Sequence, residues 1–279
     1  MEAARVRGVM VPSLSGAWRA CAGAILVALA VQRPAAALIK SEDSGLPHTR
    51  EFVGYAYDQK NGALLYVERH RQEFLGSKLL RGSVVYSDPK GTVIARKTLD
   101  YRSNPYAPSF QTEDLRSGGV EAGEFLERKY KVRFRERGKH GMRSRNLDGV
   151  KALVADAGFD NYVRARMPDL LRGEDVHFNF VVPSRLEVLH LRAAPMGVER
   201  GRDRELLRVR VETDNALLRL FVSPGYLLYD INSGELMEYI GLSNLDDEQV
   251  NKYRVRILYP NGQQPGAGGP PPASTAGGS

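Results

Sequence analysis

From Glu51 onward the apolar residues recur mostly at every second position, and turn-forming residues break the pattern about every 8 to 12 positions. A period of two is that of a β-strand, and its interruption by turns predicts an antiparallel β protein. Phe52–Asp58 and Ala63–His70 flank Gln59-Lys60-Asn61-Gly62, where Asn-Gly accepts the positive φ angles of a tight hairpin turn. Val84–Ser87 and Thr92–Tyr101 flank Asp88-Pro89-Lys90-Gly91, with proline presetting φ and glycine closing the reversal. A third hairpin is centred on Asn232-Ser233-Gly234, between Tyr226–Ile231 and Glu235–Ile240. The most regular alternation runs from Leu126 to Arg135: Leu126, Arg128, Tyr130, Val132 and Phe134 share one face, and Glu127, Lys129, Lys131, Arg133 and Arg135 the other. Leu207, Val209 and Val211 alternate in the same way with Arg208, Arg210 and Glu212, as do Tyr253, Val255, Ile257 and Tyr259 with Lys252, Arg254 and Arg256. A sheet with one core face and one solvated face follows.

One helix interrupts the strands. Phe159, Tyr162, Val163 and Met167 fall at helical spacing, Asp156 is the expected N-cap, Pro168 ends or kinks the run, and Leu170 and Leu171 add a further turn. The expected fold is therefore mainly β, a curved antiparallel sheet or open barrel built of hairpins with one amphipathic helix covering it. No repeat with a period of about 20 to 50 residues is found, which argues against propellers and solenoids. A transmembrane barrel shares the alternation, but the polar strand faces are densely charged and the sequence lacks a terminal aromatic strand, so it is the less favoured reading.

The first 37 residues read as a secretory signal. Arg5 and Arg7 give a positive start, Ala20–Val31 is apolar but short of the roughly 20 residues that span a bilayer, and Ala35-Ala36-Ala37 offers a small-residue cleavage site. Cleavage there leaves one β-rich domain over residues 38–259 and, from Pro260, a Gly/Pro-rich tail of residues 260–279 that has no large apolar side chain and is expected to be disordered. Cys21, the only cysteine, precedes the apolar run, which argues against a lipoprotein. It leaves with the signal, so the exported chain has no disulfide, thiolate metal site or cysteine nucleophile. The formal charge falls from +7 to +4, because Arg5, Arg7, Arg19, Arg33 and Glu2 are removed. An exported, periplasmic chain of that balance is not expected to meet nucleic acid; an anionic membrane or glycan is the partner that such charge suits.

Candidate chemistry is sparse. The five histidines, His48, His70, His140, His177 and His190, have no metal-ligand spacing, so no metal and no cofactor is expected. Glu68 with His70, and Asp175 with His177, sit two apart on expected strands, and each pair points to one face, where it can share a proton. These four form the weak catalytic pool. Gly241-Leu242-Ser243-Asn244 only superficially matches a serine elbow, and Ser243 or Asn244 is expected to cap a turn before Asp246, Asp247 and Glu248. Glycines 118, 119 and 123 do not sit between a strand and a helix as a phosphate cradle requires.

Two surfaces are candidates for binding. Lys129, Lys131, Arg133, Arg135, Arg208, Arg210, Lys252, Arg254 and Arg256 all take outward positions, and if their strands were neighbours they would merge into one face for an anionic membrane or glycan. Phe159, Tyr162, Val163 and Met167 of the helix, facing Tyr130 and Phe134 of the sheet, are the expected contacts for a ligand in the concave face.

Gly54-Tyr55-Ala56-Tyr57-Asp58, Leu64-Leu65-Tyr66-Val67-Glu68, Pro183-Ser184-Arg185-Leu186 and Tyr239-Ile240-Gly241-Leu242-Ser243-Asn244 resemble segments of exported, uncharacterised proteins of Gram-negative bacteria. The layout of signal, continuous hairpins and one central helix is also similar to the open-barrel carriers of the bacterial envelope that shield lipoprotein acyl chains. That second resemblance implies a lipophilic ligand and carries over no residue. The expectation is a non-enzymatic periplasmic protein that binds or carries a lipophilic or amphipathic ligand. The alternatives are an envelope hydrolase acting on glycan or lipid and an accessory subunit of an envelope complex.

Overall fold

The computed structural model describes residues 45–126, 129–201, 204–215, 223–246 and 252–260, all within one compact unit of residues 40–279. The expected signal and nearly all of the expected tail lie outside the described residues.

The fold is mainly β. One sheet of fifteen strands runs in the order β8-β7-β6-β5-β4-β3-β2-β1-β15-β14-β13-β12-β11-β10-β9. Its first half comprises β1 (Pro47–Asp58), β2 (Leu64–Leu75), β3 (Lys78–Ser87), β4 (Val93–Asp100), β5 (Ser109–Asp114), β6 (Gly119–Leu126), β7 (Lys129–Arg135) and β8 (Met142–Leu147). Its second half comprises β9 (Leu153–Val154), β10 (Val176–Val182), β11 (Glu187–Arg200), β12 (Glu205–Thr213), β13 (Gly225–Asp230), β14 (Leu236–Asp246) and β15 (Lys252–Leu258). Almost every strand pairs with its neighbour in sequence, as short reversals favour. The long-range join is β1 with β15, where Ala56 sits opposite Ile257. Among the described residues all pairings are antiparallel except that of the two-residue β9 with β10.

The three turn motifs reverse the chain where their residues predict, with Gly62, Gly91 and Gly234 at φ of 71°, 91° and 69°. The flanking strands are longer than their local pattern suggests: β1 and β2 stay paired out to Pro47 and Leu75. The alternating run from Leu126 to Arg135 is not one strand. Leu126 ends β6 and pairs with Lys129 of β7, so the chain reverses between them without a glycine, proline or asparagine.

The helical stretch also departs from expectation. α1 (Gly158–Ala165) begins after Ala157, not Asp156, and no side chain caps it. The Asp156 carboxylate is drawn to Lys97 instead, with both oxygens accepting from the ammonium at 2.7 and 2.8 Å. α1 ends at Ala165, so the run breaks just ahead of Pro168 as expected; the proline lies in the first turn of α2 (Met167–Leu171), where its missing N–H costs nothing, and Leu170 and Leu171 supply the further turn. The Ser243 hydroxyl does accept a nearby backbone amide, that of Leu245 at 2.9 Å, as a turn cap would. Ser243 sits within β14, at the irregular register between Leu242 and Asp246, while Asp247 and Glu248 lie outside the described residues.

Burial alternates along the strands and defines an inner face. Val163, Met167 and Leu170 of the helices pack there against Phe178, Leu207, Val209, Leu227 and Tyr229. Each large apolar side chain removed from water contributes about 1.5–3 kcal/mol, which holds the helices down without a cap. A second cluster joins Ala56, Tyr66, Val84, Tyr86, Val255 and Ile257 across the β1–β15 join. The third combines Leu99, Phe110, Tyr130, Val132 and Leu147 from one end of the sheet with Ala155 and Val181 from the other. The sheet therefore curls until its ends meet through side chains, while no ladder joins β8 to β9. It is an open barrel.

Candidate functional site

The inner face of the β1–β2 hairpin carries the most distinctive group of side chains. Glu68 and His70 alternate on β2, so both point inward, and His70 Nε2 lies 2.9 Å from Glu68 Oε2. The same carboxylate oxygen accepts the Tyr259 hydroxyl at 3.1 Å, and Glu68 is 6% exposed. Gly54, opposite Glu68, makes this possible: a Cβ there would stand 2.6 Å from the Tyr259 ring. Phe52 stacks on His70 at 4.4 Å, and one step farther out His48 stacks on Phe74 at 5.0 Å. The Arg50 guanidinium lies 5.4 Å over the Phe52 ring and pairs with Glu235 of the β13–β14 turn. The result is an aromatic shelf on the outer stretch of a hairpin longer than its neighbours, with Phe52, His70 and Phe74 half-buried and His48 exposed, and with Arg50 at its edge.

Below the shelf lie buried side chains with polar groups, among them Tyr66, Tyr86, Glu68 and Ser243. Tyr66 shares a hydrogen bond of 2.7 Å with Ser243 Oγ, which also accepts from Leu245 N–H at 2.9 Å. Burial, and then the nearby Glu68 carboxylate, push the Tyr66, Tyr86 and Tyr259 phenols well above their usual pKa. Burial moves Tyr239 up to about 12. These phenols act as neutral hydrogen-bonding groups and not as proton shuttles near neutral pH.

Of the four residues in the catalytic pool, Glu68 and His70 meet. His177 and Asp175 do not: His177 Nδ1 faces Asp214 Oδ2 at 3.0 Å, and Asp175 pairs with Arg192 at 2.7 Å, both on the exposed outer side of β10. Ser243, the nearest thing to a nucleophile in the sequence, is bonded to Tyr66 and not to His70. Among the described residues no group of three or more His, Cys, Asp and Glu side chains is placed to hold a metal ion.

The six residues expected to hold a ligand fall in two places. Phe159, Tyr162, Val163 and Met167 belong to the cluster under the helices, where Phe159 lies 5.5 Å from Phe178 and the Tyr162 hydroxyl donates to His177 O at 2.9 Å. Tyr130 belongs to the other end, donating to Pro108 O at 2.8 Å, while Phe134 lies beneath the Arg143 guanidinium at 5.3 Å. The helix thus seals a packed core rather than facing Tyr130 and Phe134 across a cleft.

The basic positions are not merged. β7, β12 and β15 are not neighbours, and the strands between them supply acids. Lys129 is 3.8 Å from Asp148, Arg133 is 3.3 Å from Glu124, Arg135 is 4.0 Å from Glu113, and Arg210 is 3.3 Å from Glu212. Lys131 sits opposite Glu124. Arg208 and Arg256 both pair with the buried Glu238, and Arg254 donates to Ser223 Oγ at 2.9 Å. A shallow groove of about 260 Å³ on this outer side is lined by Arg81, Asp100, Gln111, Glu124 and Arg133, a mixed-charge surface.

The sequence names His70 and Tyr259 but not the shelf. His48, Phe52 and Phe74 meet only because β1 and β2 remain in register to their ends, and His48 precedes the stretch where alternation becomes regular. The one local signal is His70 two positions from Glu68.

No family model matches the sequence, and no curated protein matches it. Among solved structures the chain is similar to a β-barrel-like protein of domain of unknown function DUF1849 from Brucella abortus, with 10% identity, a TM-score of 0.44, and coverage of 77% of this chain and 95% of that one.

Proposed function

We propose that the chain is an exported, periplasmic, non-enzymatic protein that binds an amphipathic ligand on the inner aromatic shelf of its curved sheet. The observation that carries this reading is the pair of stacks, Phe52 on His70 and the exposed His48 on Phe74, left open to solvent beside Arg50 while Tyr66 and Tyr86 beneath them are buried. Flat aromatic rings receive an apolar chain or ring, and Arg50, paired with Glu235, and the imidazoles offer hydrogen bonds to a polar head at its end. Export is supported by the signal-like first 37 residues. The burial of Val163, Met167 and Leu170 in a packed cluster favours the shelf over the helix as the seat of the ligand. A hydrolase is the weaker reading, since Glu68 and His70 meet but no serine hydroxyl is bonded to His70. Titration with a fluorescent fatty acid tests the proposal: saturable binding that Phe52→Ser together with Phe74→Ser weakens about tenfold supports it. Equal binding by this variant and the native chain overturns it.

A further inference from the structure

One edge of the sheet is open, and its chemistry is one-sided. Among the described residues β8 pairs with β7 alone, and five of its six residues, Met142 to Asn146, are exposed. From Gly138 to Leu147 the chain carries Lys139, His140, Arg143 and Arg145 and no acid, unlike the paired outer faces of β12 and β15. Arg143 and Arg145 stand two apart, opposite Phe134 and Val132, so both project from the same side of the strand. Their guanidinium groups reach the Ser184 and Leu186 carbonyls at 3.5 Å, the outer limit of a hydrogen bond, and Arg143 also lies over the Phe134 ring, so among the described residues no carboxylate is paired with either.

We propose that β8 is a docking edge for an extended acidic segment of a partner protein, which adds as a further strand. An edge strand presents outward-turned N–H and C=O groups that template another chain, and opposite charges directly across such a pair stabilise it while like charges oppose it. A segment with Glu or Asp at alternate positions places its carboxylates against Arg143 and Arg145. A second copy of this chain does not fit: antiparallel pairing of β8 with itself about Ser144 would set Arg143 against Arg145 in both halves. The proposal is independent of the shelf, which lies on β1 and β2.

The test uses the purified full chain and three synthetic seven-residue peptides: Thr-Glu-Val-Glu-Val-Glu-Thr, its Lys counterpart, and the Glu peptide N-methylated at alternate residues. The Glu peptide should bind, slow amide exchange across Met142–Leu147, and lose about tenfold in affinity against R143E/R145E, a double reversal on exposed positions that should bind the Lys peptide instead. Equal binding of the Glu and Lys peptides, unchanged exchange on β8, or undiminished binding of the N-methylated peptide would each overturn strand addition. So would failure of all peptides to bind, which would make these arginines only a guard against edge pairing. A dimer in sedimentation that protects β8 would overturn the acidic partner in favour of self-association.

Discussion

Lys97 and Asp156 form an ion pair inside the sheet, the ammonium reaching both carboxylate oxygens with side-chain exposures of 3% and 6%. Lys97 belongs to β4, and Asp156 stands two residues ahead of α1 at φ 46°, a left-handed conformation that aspartate tolerates better than most residues. The pair fixes where the helical stretch meets the sheet. Behind it, Gly158 packs so closely on the Tyr106 carbonyl that a Cβ has no room.

Removing one partner leaves the other charge buried and uncompensated. Lys97→Met or Asp156→Asn should each lower stability by about 3–5 kcal/mol in urea denaturation. The double variant Lys97→Met/Asp156→Asn should cost clearly less than the two losses added, because it buries no lone charge. Additive losses would show that the contact is not energetically coupled.

Gly54→Ala should disturb the shelf specifically. The new Cβ meets the Tyr259 ring, which must swing away from the Glu68 carboxylate. A cost of about 1–3 kcal/mol is expected from the overpacking. Adding Tyr259→Ala should remove the clash, so the second substitution should be milder in the Gly54→Ala background than in the native one. Equal effects in both backgrounds would refute the clash.

Alkaline stability should follow the buried phenols. Burial, and then a neighbouring carboxylate, raise Tyr66, Tyr86, Tyr229 and Tyr259 above the ordinary value of 10.0. A folded-state pKa above the unfolded one means that both states hold the proton below about pH 10, so stability is then complete. As the pH climbs past the unfolded value, the unfolded chain releases protons first and stability falls until the folded value is passed. Phenolate absorbance from these tyrosines should therefore appear only together with loss of the far-ultraviolet sheet signal. Full tyrosine ionisation with an intact sheet signal would contradict the burial described.

If the Glu68 and His70 pair serves binding and not turnover, Glu68→Gln should keep ligand affinity within about threefold, because the amide oxygen can still accept the Tyr259 hydroxyl. Hydrolysis of ester or glycan substrates by the native chain that Glu68→Gln abolishes would restore the hydrolase reading.

Much of the fold is legible in the sequence because hairpins are local. Asn61-Gly62, Asp88-Pro89 and Ser233-Gly234 carry their own turn geometry, and period-two burial on β12 and β15 follows from the residues alone. The reversal between Leu126 and Lys129 is not legible, since neither flanking alternation is interrupted by a turn residue. Asp156 misleads for a physical reason: a buried ammonium competes for its carboxylate more strongly than helix amides do. The shelf escapes sequence reading because it depends on register between residues more than twenty apart, such as His48 and Phe74. The absence of a merged basic face is equally non-local, as it is set by which strand supplies Glu238 between Arg208 and Arg256.

The central claim is that an amphipathic ligand occupies the shelf on β1 and β2. Native mass spectrometry of the chain purified from its own cells tests it most directly, comparing the native chain with the Phe52→Ser/Phe74→Ser variant. The account expects a bound mass on the native chain that denaturation releases and that the variant lacks. A native chain with no bound mass, or a bound mass that the variant retains in full, would contradict it.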